Sequence, residues 1–138
     1  MTRRLLLSLP LAACLRADSE KEVADLITAA VSGLSAGKPE VFLEAFDPAM
    51  PEFEKLRAAV VGLAAQAELS CSLEVVSNEG DDAARTLELD WILRIDRKDD
   101  AAGSTRRQRT VQCQLRKSGR KWRIVSFEPL ELFAPTAG

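Results

Sequence analysis

Thr86-Leu87-Glu88-Leu89-Asp90-Trp91-Ile92-Leu93-Arg94-Ile95 is the stretch that decides the fold. Leu87, Leu89, Trp91, Leu93 and Ile95 occupy every second position, and successive side chains of an extended chain point to opposite faces. They predict the apolar face of a strand; Thr86, Glu88, Asp90, Ile92 and Arg94 take the other face. The same period lies on both sides. Upstream, Leu69, Cys71, Leu73 and Val75 alternate with Ser70, Ser72 and Glu74, and Asn78-Glu79-Gly80-Asp81-Asp82 predicts the intervening turn. Downstream, a polar loop from Arg97 to Thr105 leads to Val111, Cys113 and Leu115 alternating with Thr110, Gln112, Gln114 and Arg116. Ser118-Gly119 then turns the chain into Lys121 to Phe127. Four consecutive strands predict an antiparallel meander.

Before Leu69 the period is helical. Ser19-Glu20-Lys21-Glu22 has capping-box spacing, and Val23, Leu26, Ile27, Ala30, Val31 and Leu34 follow at intervals of three and four, ending near Gly37. Pro39 suits the first turn of a second helix through Phe46, which Asp47-Pro48 breaks. Pro51 predicts a third helix, with Phe53, Leu56, Val60, Leu63 and Ala67 on one face. Helices followed by a meander predict an α+β domain with its helices on the apolar face of the sheet. The opposite face carries Glu88, Asp90, Arg94, Gln112, Gln114, Arg116 and Arg123, and is wet or interfacial.

The 138 residues fit one domain, and 46% apolar with 29% charged residues is ordinary globular composition. The 19 basic and 21 acidic residues nearly cancel, which argues against a nucleic-acid partner. Histidine and tyrosine are absent. That excludes Ser-His-Asp and Cys-His arrangements, histidine metal ligands, and any side chain titrating near neutrality without a shifted pKa. Three cysteines without a CxxC spacing give no zinc signal, and no cofactor is implied.

Residues 1–17 have the layout of an export signal. Arg3 and Arg4 precede an apolar run from Leu5 to Ala13, and Leu11-Ala12-Ala13-Cys14 resembles a bacterial lipobox, whose cysteine becomes the lipidated first residue. The run spans about 14 Å as a helix, roughly half the hydrocarbon core, so the expectation is membrane contact only through a lipid anchor on Cys14. Ordinary cleavage near Ala17 is the alternative, disfavoured because Leu15 sits where a small residue is preferred; a cytosolic chain with an apolar start is the third reading. The first reading implies an exported protein, periplasmic or membrane-anchored, with 18–138 as its single domain.

A long helix, a short one, the Phe46-Asp47-Pro48 break and a closing meander containing Lys121-Trp122-Arg123-Ile124 resemble the nuclear transport factor 2-like superfamily. The resemblance covers roughly residues 19–135. It implies a cystatin-like roll, with three N-terminal helices packed on a curved four-stranded antiparallel sheet. Members include ketosteroid isomerase, scytalone dehydratase, polyketide cyclases, transport adaptors and small exported proteins of unknown role, so fold does not carry function. The resemblance implies a cone between helices and sheet that can hold a small apolar ligand. The inward positions nominate Trp91, Leu89, Arg109 and Cys113 as ligand-binding residues, with Arg109 the one charge among them. No catalytic residue is assigned; Asp90 is the first carboxylate to test as a base, through a bulge that turns it inward. The expected role is noncatalytic: an envelope domain binding a small hydrophobic molecule, or a protein partner through the open sheet face, such as a second copy. The alternatives are an isomerase or dehydratase resembling ketosteroid isomerase, and a structural accessory subunit.

Cys71 and Cys113 fall on the first and third strands, about 10 Å apart at ordinary strand spacing, which predicts two buried free thiols rather than a disulfide. Trp91 and Trp122 read as core more readily than as cavity lining. Arg106, Arg107 and Arg109 form a small basic patch that reads as a charged edge strand.

Overall fold

Central burial of the Leu87-to-Ile95 stretch organises the molecule. The computed structural model describes residues 2–98 and 103–134, with side chains from Asp18 onward. The side chains of residues 1–17, Cys14 among them, lie outside the described set. Strand β2 (Ala84–Arg97) pairs antiparallel with β1 (Ala67–Gly80) on one side and β3 (Ser104–Ser118) on the other. Strand β4 (Lys121–Glu128) completes the open sheet in the order β1-β2-β3-β4. Leu87, Leu89, Trp91, Leu93 and Ile95 are all at most 1% exposed, as their period requires. Gly119 has φ 64° at the first central position of the β3–β4 turn, where a side chain would be strained.

Three α-helices precede the sheet: α1 (Thr2–Ser35), α2 (Pro39–Leu43) and α3 (Phe53–Gln66). Val23, Ile27, Ala30, Val31 and Leu34 bury one face of α1, and Leu56, Val60 and Leu63 bury one face of α3. A left-handed Gly37 (φ 80°) ends α1, with Gly37 N–H donating to the Leu34 carbonyl and Lys38 N–H to the Gly33 carbonyl. Among the described residues no helix is long and apolar enough to cross a membrane.

The structure corrects three expectations and adds one element. Ser19 does not cap a helix: α1 runs through it, and its hydroxyl, 3% exposed, donates to Asp82 Oδ1 at 2.8 Å. Helix α2 stops at Leu43, not Phe46, because the next residues leave it to pair with β4. There Ile124 N–H donates to the Ala45 carbonyl at 2.8 Å and Asp47 N–H to the Ile124 carbonyl at 2.9 Å. Strand β1 continues to Gly80 through a bulge at Val76, so Asn78 pairs with Leu87 instead of forming a turn. The turn itself is built by Asp81, whose Oδ1 accepts from Ala83 and Ala84 N–H. Finally, a short 3₁₀ helix, η1 (Leu130–Phe133), follows the sheet and buries Leu132 and Phe133 completely.

The Ser19 contact yields a prediction. Ser19→Ala removes a part-buried hydrogen bond to a carboxylate, and should lower unfolding free energy by roughly 1–2 kcal/mol in urea titrations. A change under about 0.3 kcal/mol would show that the contact contributes nothing to docking α1 on the β1–β2 hairpin.

Candidate functional site

Three of the four residues expected to line a cone cavity are packed solid. Trp91 meets Phe42, Phe127 and Phe133 edge-on, at ring-centroid distances of 6.2, 5.7 and 5.9 Å. Phe46 closes the cluster against Phe42 and Phe127. Leu89 and Cys113 are fully buried beside it. The arriving η1 is the physical reason, since it carries Phe133 against Trp91.

Arg109 does share Trp91's face in register, yet it is exposed. Strand β4 stops opposite Gln112, leaving this part of β3 at the sheet's rim, where a long side chain reaches water. Its neighbour Arg107 instead donates through Nη1 to the Leu132 and Ala134 carbonyls at 2.9 and 2.7 Å, pinning η1. Asp90 stays half-buried on the outer face, opposite Glu74 and Thr110, and accepts from Gln108 Nε2 at 3.2 Å. The bulge that sequence reasoning invoked falls in β1, so β2 keeps Asp90 facing outward.

Cys71 and Cys113 are both free, Cys71 only half-buried. Cys71 lies opposite Leu93, and Cys113 opposite Leu87, six residues further along β2, so they are separated along the strands as well as across them. Burial pushes the Cys113 thiol up to about 12. Burial likewise raises Cys71 to about 11, while the Trp91 indole and the Ser35 hydroxyl pull it back slightly. The indole's pull is weaker than a full hydrogen bond, as among the described residues Trp91 Nε1 has no partner at ordinary hydrogen-bond geometry. Both thiols start from 9.0, so the unfolded chain ionises first as pH rises. Stability from this source is intact below about pH 9. It should decline above that, by up to about 1.4 kcal/mol per pH unit per thiol, until the folded thiols ionise. Urea midpoints from pH 8 to pH 10.5 should fall less steeply for Cys71→Ala/Cys113→Ala than for the parent; equal slopes would contradict the burial argument.

Sequence reasoning missed Arg85, 6% exposed on the inward face, whose Nε donates to Asn78 Oδ1 at 2.7 Å and Nη2 to the Asn78 carbonyl. Asn78 Nδ2 in turn donates to the Glu20 carbonyl, so this polar chain ties α1 to the hairpin. Only the bulge at Val76 brings Asn78 to that face, and a doubled valine was its faint signal.

An open site lies elsewhere, where α1, the 43–48 segment and the start of β4 diverge. A groove of about 860 Å³ is lined there by apolar Leu26, Ala29, Val41, Leu43, Phe46 and Trp122, with Glu22, Asp25 and Glu44 on the helix side and Lys121 and Arg123 on the strand side. Lys117 contacts two of the lining residues, its Nζ lying 3.7 Å from Glu22 Oε1 and 6.0 Å from the Trp122 ring centroid. Among the described residues no cluster of His, Cys, Asp or Glu could hold a metal. The groove can therefore bind an apolar group and orient charges around it, and none of the four nominated residues lines it.

No protein-family profile matches the sequence, and no curated protein matches it. Solved structures do match in shape. A conserved protein from Planctomyces limnophilus superposes with a TM-score of 0.72 at 9% identity, covering 81% of this chain and 94% of that one. A nuclear transport factor 2-like superfamily protein from Salmonella enterica gives 0.63 at 13% identity, covering 88% and 95%. A protein of unknown function with a cystatin-like fold from Nostoc punctiforme gives 0.59 at 18% identity, covering 82% and 90%. At these identities the likeness carries the fold alone: the chain adopts the nuclear transport factor 2-like, cystatin-like architecture.

Proposed function

We propose that this chain, a nuclear transport factor 2-like fold, is a noncatalytic binding domain of the cell envelope that holds an apolar group of its ligand in the groove between α1 and β4. The observation that carries the reading is the contrast between that open groove and a cone filled by Trp91, Phe42, Phe127 and Phe133. Apolar concave surface with a few charges at its rim is what small-molecule and peptide sites share. An isomerase resembling ketosteroid isomerase would need a carboxylate facing the cone, and Asp90 faces outward.

Nile red, neutral and apolar, tests the site. It should bind the full chain one to one, and Ala29→Arg, an exposed change that extends a charged side chain over the groove, should weaken binding at least about tenfold. Undiminished binding would sink the assignment.

The envelope location rests on the lipobox-like Leu11-Ala12-Ala13-Cys14. Mass spectrometry of the protein from its host should show residues 1–13 missing and a diacylglycerol-scale mass on Cys14, because multiple acyl chains anchor firmly where one binds reversibly. A chain retaining Met1 would overturn the anchor.

A further inference from the structure

Strand β4 is an edge strand, and its free edge is only partly covered. Ile124 uses both backbone groups on the 45–47 segment. Backbone groups on a strand repeat every two residues. The register from Leu115↔Ile124 to Ser118↔Lys121 has no shift, so Trp122 directs its N–H and C=O to the same edge. The covering segment does not reach Trp122, because Ala45 N–H turns back to the Phe42 carbonyl. The groove opens at that point.

We infer that an extended peptide alternating apolar and acidic residues adds to the free edge of β4 at Trp122. The inference rests on the groove being the binding site and names its occupant. A compact apolar molecule would cover the Trp122 N–H and C=O without offering either a hydrogen-bond partner. A peptide backbone brings an acceptor and a donor at strand spacing. Its inward side chains fall on the apolar floor with Trp122, Leu26 and Phe46; its outward ones fall on the face of Lys121 and Arg123.

Charge selects acidic residues for those outward positions. Arg116 lies opposite Arg123, and Arg120 and Lys121 adjoin them at the hairpin; among the described residues none of the four makes an ion pair. Like charges facing each other across strands are destabilising until an anion joins them. Two of the three helix-side acids are already paired, Glu22 with Lys117 and Asp25 with Lys21, each at 3.7 Å, so Glu44 is the one acid of the groove that competes with the hairpin cations' draw.

The test is calorimetric titration of the full chain with an end-capped hexapeptide of alternating valine and aspartate. It should bind, and the Trp122 amide should exchange more slowly with deuterium in the complex. N-methylation of the peptide's central amides should abolish binding. Lys121→Glu/Arg123→Glu should weaken the aspartate peptide at least about tenfold while favouring a valine–lysine peptide; if that variant loses its fold, the N-methyl comparison on the parent chain decides. Equal binding of the N-methylated peptide, or no binding at all, overturns the inference. So does concentration-dependent protection of the Trp122 amide without peptide, which would put a second copy on this edge. Nile red bound where the peptide fails overturns only the occupant; failure of both overturns the groove as the site.

Discussion

Trp91→Ala should lower the unfolding free energy by roughly 3–5 kcal/mol, the range for deleting a large buried aromatic. Trp91 is 1% exposed and sits mid-strand in β2, with three phenylalanines from α2, β4 and η1 edge-on around it. Truncation removes those contacts at once, and elements from three parts of the chain cannot all collapse into the space. Among the described residues the indole N–H has no partner at ordinary hydrogen-bond geometry, so its removal takes away a poorly satisfied buried donor and offsets a small part of the loss. Against a typical total of about 5–15 kcal/mol, the variant should unfold at far lower urea concentration. A loss under about 1 kcal/mol would mean Trp91 is not at the centre of the core.

Phe133→Ala should cost a similar amount, roughly 3–5 kcal/mol, for a different structural reason. Phe133 is fully buried and stacks on Phe127 at 5.8 Å, yet it belongs to η1, outside the sheet. The 3₁₀ segment is held by the Arg107 hydrogen bonds to its carbonyls, so the main chain should stay in place and leave a cavity inside the cone. An apolar cavity of that kind stays dry and takes up small aromatics. Benzene should therefore raise the melting temperature of Phe133→Ala and leave the parent unmoved. If the variant lost less than about 1 kcal/mol, η1 would not be the plug that fills the cone.

Legibility in the sequence followed how locally each feature is determined. Strands β2 and β3 were readable because Leu87 to Ile95 and Val111 to Leu115 are buried on one face only, which writes a period of two into the chain. The buried faces of α1 and α3 were readable for the same reason at a period of three to four. The end of α2 was not, because Phe46 leaves the helix for an edge of β4 nearly 80 residues away in sequence. Leu130 to Phe133 is too short to show a period, and its burial depends on the space left by Trp91. Arg85 reads as an ordinary surface arginine until the bulge at Val76 turns Asn78 toward it. The groove was the least legible feature, since α1, the 43–48 segment and β4 each contribute part of it and none carries a motif. Trp122, read only as core, is buried and also forms a wall of that groove.

The central claim, that ligand is held in the α1–β4 groove and not in the cone, is tested most directly by mapping where an apolar probe binds in solution. Nile red titrated into the isotopically labelled full chain should shift the NMR signals of Leu26, Ala29, Val41 and the Trp122 indole, leaving Leu89, Trp91, Val111 and Cys113 in place. Shifts concentrated on that second set, with the groove residues unmoved, would contradict it.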